Sequence, residues 1–248
     1  MSFTFTIGTP FIELQRVEST NNYAIGALHA GMAQHGTAVF AHHQTAGKGQ
    51  RNKQWFGEAG KNIALSVIVK PDSSSLSGSF LLSMAAAVAV QEFFTTYAGD
   101  EVKVKWPNDI YWRDRKAAGI LIENIVQGTE WKAAVIGIGI NINQVSFEGL
   151  QTKAVSLKQI TGKAHEPVVL AKELCTYLSN SLAVLKTSPL QIMTSYKSCL
   201  YKKEETVRLK KDNRVFNAVI KDVSVMGELI VHHATEERFS VGEVEWQS

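Results

Sequence analysis

Between His42 and Trp55 the chain sets Lys48, Arg51 and Lys53 among two glycines and a run of amides. Cations at that spacing give charge-assisted hydrogen bonds to phosphate or carboxylate oxygens, and Gly47 and Gly49 let main-chain N–H groups come close to a ligand. The chemistry such a stretch serves is anion binding and the stabilisation of negative charge. Spacing excludes two familiar phosphate loops. A P-loop needs a glycine five positions before its Gly-Lys pair and a Ser or Thr after it, whereas Gly47-Lys48 has His42 and Gly49 there, and Gly60-Lys61 has Trp55 and Asn62. Gly137-Ile138-Gly139 follows a strand-like run but has Ile142 where a dinucleotide fingerprint places its third glycine.

The elements around this stretch must hold it in place. Thr37 to Ala41 reads as a short buried strand, and Asn62 to Lys70 alternates Ile63, Leu65, Val67 and Val69, so the cationic stretch is a loop joining two strands. Ser19, Thr20 and Asn21 precede an apolar-periodic run with Ile25, Leu28 and Met32 on one face, which predicts a capped helix ended by Gly36. Asp72 to Gly78 is a Ser-rich connection. Ser79 to Tyr97 is apolar nearly all round and predicts a helix buried against a sheet and stopped by Gly99.

Glu101 to Trp106 alternates as a strand, Pro107-Asn108-Asp109 interrupts it, Ile110 to Trp112 resumes it, and Arg113 to Lys116 forms a turn. Ala117 to Val126 and Trp131 to Asn143 predict a hairpin through Gln127-Gly128-Thr129. Gly119 on one strand and Gly137 and Gly139 on the other leave room for something to approach the backbone closely, so these strands and the cationic loop are expected to wall one cleft. Helices follow over Pro167 to Lys186 and around Leu190 to Leu200. Beyond Lys202 the runs Thr206 to Leu209, Phe216 to Val223, Glu228 to His232 and Arg238 to Val244 form a small β-module. The expected organisation is an α+β domain over residues 1–200 followed by a second domain over 201–248.

Composition narrows the function classes. With 45% apolar and 20% charged residues over 248 positions, the chain can bury a sizeable core. A formal charge of +3 does not suit a general nucleic-acid binder, so anion preference must come from local placement. Cys175 and Cys199 form neither a disulfide framework nor a zinc site, which fits a reducing compartment. The amino terminus lacks the pattern of a signal peptide, and the most apolar stretch, Phe80 to Val90, is short of the ~20 residues that span a bilayer. A cytoplasmic protein without membrane attachment is expected.

Taken together, Ser19-Thr20-Asn21, the loop from Gln44 to Trp55, Lys105-Trp106-Pro107-Asn108-Asp109, the run from Arg115 to Glu123, Gly137 to Asn141 and the closing Val241-Gly242-Glu243-Val244 resemble biotin protein ligases in order and approximate spacing. The resemblance implies a mixed sheet covered by helices, related to class II aminoacyl-tRNA synthetases, and a C-terminal SH3-like barrel. It implies two half-reactions, formation of biotinyl-5′-AMP from biotin and ATP, then transfer of the biotinyl group to a lysine of a biotin carboxyl carrier protein or domain.

In that reading Lys116 bridges the biotin carboxylate and the α-phosphate, and Arg51 shares the catalytic role. Ser19, Thr20, Asn21, Gln44, Gly47, Lys48 and Gly119 contact biotin together with Lys116. Lys48, Gln50, Arg51, Lys53, Trp55, Asn108 and Asn141 contact the nucleotide, and Asp109 is the nearest ligand for a Mg²⁺ that accompanies the triphosphate. The family loop is often Gly-Arg-Gly-Arg-Arg-Gly-Arg, whereas residues 47–53 here carry lysine at 48 and 53, glutamine at 50 and asparagine at 52. A looser grip on the intermediate is expected. The 18 residues before Ser19 leave no room for the DNA-binding domain of some family members, so DNA binding is not expected. A lipoate or octanoate ligase and a non-catalytic biotin-binding protein stand as alternatives, and both monomer and homodimer remain open.

Overall fold

The computed structural model describes residues 6–71, 76–148 and 153–247. In chain order the first part contains β1 (Phe11–Leu14), α1 (Thr20–His29), β2 (Ala38–Ala41), β3 (Asn62–Val69), α2 (Ser79–Ala98), β4 (Val102–Lys105), β5 (Asp109–Trp112), β6 (Arg115–Gln127), β7 (Glu130–Asn141), α3 (Leu157–Thr161), α4 (Pro167–Thr187) and α5 (Pro189–Ser198). Its strands form one mixed sheet in the order β1-β2-β3-β7-β6-β5-β4, with β1 and β2 parallel and the other pairs antiparallel. Of the expected Ser-rich connection, residues 72–75 lie outside the described residues.

Strand alternation assigns the two faces of this sheet. On β3 and β7, Ile63, Leu65, Val67, Ile136, Ile138 and Ile140 turn into the main core, which α2 and α4 cover. Ile68 and Val135 turn the other way, and Ala24 of α1 packs on them. Under the first turn of α1 the same face carries Ser66, which is fully buried, and from Gly137 to Gly139 it lines an open cleft. The register sets Ser66 opposite Gly137, Gly137 opposite Leu121, and Gly139 opposite Gly119.

Helix α2 is buried on several sides because its alanines let the sheet, α4 and α5 approach, and Gly99 ends it at φ 77. It runs 20 residues, longer than the apolar stretch read from sequence. By length and composition α2 and α4 could each cross a bilayer, but 56% of the α2 window is packed inside this fold. Two helices of that kind are weak evidence for a membrane, since core helices pass the same test.

Helix α1 corrects an expectation. It ends at His29, with Gly31 at φ 70 just beyond, and Met32 is 75% exposed. Its buried face is Thr20, Asn21, Ala24 and Ala27, since small side chains bring the helix close to the sheet and leave Ile25 and Leu28 on its flank.

The last module comprises β8 (Thr206–Lys211), β9 (Arg214–Val223), β10 (Leu229–His233), β11 (Thr235–Phe239) and β12 (Glu245–Gln247), an antiparallel sheet in the order β11-β10-β9-β8-β12. Of the run read as a strand over Arg238 to Val244, only Arg238 and Phe239 are strand. β11 stops at Phe239, and a turn with Gly242 at φ 109 redirects the chain into β12, which pairs with β8. The module is joined to the main sheet: Trp106 Nε1 donates to Gly227 O at 2.9 Å, and Tyr201 N, where the chain enters the module, donates to Val104 O at 2.8 Å. Its apolar residues, such as Leu209 and Ile220, belong to the same buried cluster as the main core.

Candidate functional site

The open face of the sheet is the floor of a cleft of about 870 Å³. The N-terminus of α1 closes one end, the cationic loop and Trp55 cover it, and the segment from Lys105 to Asp109 together with Val244, Glu245 and Trp246 forms the far wall. Every residue expected at the site lines this cleft except Gly47. Gly47 is buried in the loop stem, where it accepts from Trp55 N at 2.9 Å, and a Cβ there would lie 2.5 Å from Trp55 O.

The α1 end is a network of neutral groups. Ser19 caps the helix by accepting from Asn22 N, and Thr20 donates from N at 2.8 Å and from Oγ1 at 3.0 Å to Gln44 Oε1. Those bonds fix the Gln44 amide so that its Nε2 faces the backbone of Gly47. Ser66 Oγ lies 2.7 Å from Thr20 Oγ1 and donates to Asn21 Oδ1 at 2.5 Å, while Asn21 Nδ2 donates to Glu123 Oε2 at 2.7 Å. The Asn21 amide lies directly over Gly137, where any Cβ would overlap it. Buried polar groups without partners are costly, and this end has satisfied its own while still lining the cleft.

The cationic loop is differently made. Gly49 N donates to Lys53 O at 2.7 Å, Lys48 bridges to Gln54, and Gln50–Asn52 forms a single tight helical turn in which Arg51 takes φ 52 and ψ 49. That left-handed conformation is uncommon for a residue other than glycine. Among the described residues Lys48 pairs with Glu123 at 3.3 Å, whereas Arg51 and Lys53 form no ion pair. The Arg51 guanidinium instead rests on Gly242 of the last module, where a Cβ would lie 3.1 Å from Nη2. The Trp55 indole lies across Gly139 and Gly119, and a Cβ on Gly139 would overlap the ring.

Lys116 corrects a second expectation. It is the second residue of β6 rather than part of a turn, which is confined to Arg113 and Asp114. The β5–β6 register slips between Ile110 and Tyr111, and a bulge of this kind re-aims the side chains beside it. Lys116 Nζ meets Asp109 Oδ1 at 2.6 Å, both side chains about one quarter exposed, and stands 5.9 Å from the Trp55 ring centroid. Asp109 arrives there because it pairs with Gly119 across β5 and β6.

The two asparagines are partly committed to the fold. Asn108 Nδ2 donates to Ile120 O, and Asn141 Nδ2 donates to Val155 O at 3.2 Å and Lys116 O at 3.4 Å, so each offers the cleft mainly its Oδ1 acceptor.

Several residues in or beneath the cleft had not been singled out from sequence. Lys105 Nζ lies 4.6 Å from the Tyr111 ring centroid and 4.9 Å from that of Trp246, and burial brings its pKa down to about 8, with Asp109 partly offsetting the effect. Ser66 is the one polar residue inside the apolar part of β3, a signal the sequence did contain. Trp246 gave none, because its meeting with Lys105 depends on how the last module docks.

Comparison with known proteins gives a consistent picture. The model of the biotin/lipoate A/B protein ligase family matches residues 13–141. A bifunctional ligase/repressor BirA of Bacillus spizizenii is 37% identical over 152 residues, covering 60% of this chain and 46% of that protein. The biotin--[acetyl-CoA-carboxylase] ligase of Mycobacterium tuberculosis is 30% identical over 183 residues, covering 73% of this chain and 66% of that one. The chain thus spans less than half the length of the bifunctional relatives it matches, 46% and, for the Escherichia coli protein, 38%. In fold, it resembles the biotin protein ligase from Aquifex aeolicus in complex with biotin and ATP, with a TM-score of 0.80 and 24% identity over 96% of this chain and 98% of that one.

Proposed function

Since the chain belongs to the biotin/lipoate A/B protein ligase family, we propose that it activates biotin with ATP and transfers the biotinyl group to a lysine of a biotin carboxyl carrier domain. The observation that carries this reading is one cleft with a neutral hydrogen-bonding network at one end and, at the other, cations of which Arg51 and Lys53 form no ion pair among the described residues, spanned by a glycine floor. A ureido ring has N–H and C=O groups that need partners when buried, and Thr20, Asn21 and Gln44, held from beneath by Ser66, supply donors and acceptors for it. The apolar dithiolane of lipoate would leave the same groups facing hydrocarbon. That difference favours biotin over the lipoate alternative.

In the first step an oxygen of the biotin carboxylate bonds to the α-phosphorus of ATP and the bond to the β-phosphate bridging oxygen breaks, releasing pyrophosphate. Two anions must approach, so the chief requirement is positive charge held between them. Lys116 stands beside the glycine floor, where its ammonium can leave Asp109 for the carboxylate and the α-phosphate. Arg51 and Lys53, which form no ion pair among the described residues, hold the polyphosphate, and Lys48 serves the carboxylate. Trp55 offers a ring face and Asn141 an acceptor to the adenine.

A Mg²⁺ would supply further charge neutralisation. It would be bound chiefly by phosphate oxygens and water, with Asp109, which lines the cleft, as the protein carboxylate. In the second step the carrier's neutral ε-amine attacks the acyl carbon, the bond to the AMP oxygen breaks and AMP leaves with that electron pair, while the nitrogen gives up a proton. The reading includes residues 1–200 as the catalytic domain, residues 201–248 as a companion whose β12 completes the cleft wall, and the cytoplasm as the setting.

The test is exchange of labelled pyrophosphate into ATP with biotin, lipoate or octanoate present. Exchange with biotin alone is expected. Exchange with lipoate would make it a lipoate ligase, and biotin binding without exchange would make it a binding protein.

A further inference from the structure

We propose that Glu123 is a positioning residue that orients the Asn21 amide toward the ligand and tethers the cationic loop at Lys48. It rests on the biotin-ligase reading above and adds to it a residue that the cleft itself does not include. Glu123 follows Gly119 and Leu121 on the cleft face of β6, one step beyond the floor, where its carboxylate divides between two partners. Oε2 accepts from Asn21 Nδ2 at 2.7 Å, and Oε1 accepts from Lys48 Nζ at 3.3 Å.

An asparagine amide can be turned over with little change of shape, and only its partners choose between the two orientations. The Ser66 hydroxyl does not choose, because it can rotate to donate or accept. A carboxylate only accepts, so Glu123 requires Nδ2 on its side and sends Oδ1 toward Ser66. Asn21 therefore presents one fixed pattern of donor and acceptor over Gly137. The same carboxylate is the only one paired with a cation of the loop among the described residues. With side-chain exposures of 42% for Lys48 and 29% for Glu123, that pair is a weak tether that can release when the loop must open.

The experiment compares Glu123→Ala and Glu123→Gln with the native protein in biotin titration calorimetry, pyrophosphate exchange and thermal melting. The side chain introduced by Glu123→Gln can still accept from Asn21 but has no charge for Lys48. In Glu123→Ala the dissociation constant and KM for biotin should rise about tenfold with kcat and the KM for ATP within about twofold, the scale set by one mismatched buried hydrogen bond. Glu123→Gln, whose amide can turn to donate as well as accept and so does not fix Asn21, should recover only part of the biotin affinity, between Glu123→Ala and native. The partly exposed side chain should leave the melting temperature of both variants nearly unchanged.

Native biotin affinity in Glu123→Ala would overturn the proposal, as would equal loss of biotin and ATP affinity, or native biotin affinity in Glu123→Gln. If the native protein catalyses no biotin-dependent exchange, the ligase reading itself falls. Normal native exchange with an unaffected Glu123→Ala variant removes only the role given to Glu123.

Discussion

The two ends of the cleft are held by different physics. At the α1 end Ser19, Thr20 and Asn21 are buried, each with a hydrogen-bond partner, in a network running from Gln44 through Ser66 to Glu123. In the loop Lys48, Arg51 and Lys53 are exposed, and among the described residues Arg51 and Lys53 have no carboxylate to answer them. Neutral groups can be pre-set without ligand because they satisfy one another. Unpaired cations stay in water until an anion arrives, since burying them early would cost more than any contact here could return. On the proposed reading, the uncharged part of the substrate would thus meet a finished site, and the charged part would help to complete one.

The largest effect should come where the two ends meet. Lys116→Ala is expected to lower pyrophosphate exchange about 100- to 1,000-fold while the protein keeps its melting temperature, because it removes charge needed mainly in the transition state. Native exchange in that variant would move the catalytic charge elsewhere. A glycine pair separates the ends next. In Gly137→Ala a methyl group displaces Asn21, and biotin affinity should fall roughly tenfold or more with ATP affinity nearly kept. Gly139→Ala displaces Trp55 and should weaken ATP binding instead. Calorimetry showing both ligands weakened equally in both variants would mean that the ends are not separable.

Within the loop, Gln50 lines the cleft where an arginine would bring a full charge toward the phosphate. Gln50→Arg should slow the dissociation of biotinyl-5′-AMP, by up to about tenfold. An unchanged rate measured without carrier would place residue 50 away from the intermediate. The smallest effect concerns Lys105, which faces Asp109, Lys116 and Asp114. Its pKa of about 8 means that the cation is present below that pH and lost above it, so the KM for ATP should rise a few-fold between about pH 7 and 9. Lys105→Arg, charged throughout, should flatten that rise, and an equally steep profile would take Lys105 out of nucleotide binding.

The sequence by itself determined the local parts. The alternation from Ile136 to Ile140 already assigned isoleucine to one face and glycine to the other, and the lysines and arginine between two strands already marked an anion loop. Periodicity and residue type carry such information because they concern neighbours in the chain. Tertiary structure decided which segments meet. Sheet order β3-β7-β6 brings Ser66, Gly137 and Leu121 into one row, and α1 lays Asn21 across it to reach Glu123, 102 residues away. A register slip in β5–β6 changes Lys116 from a turn lysine into a cleft lysine, and docking of the last module sets Trp246 against Lys105. Met32 was misread for the same reason, since the small face of Ala24 and Ala27, not the larger apolar side chains, presses α1 against the sheet. Strand pairing and module docking join residues far apart in sequence, and no local pattern of residue types encodes those distances.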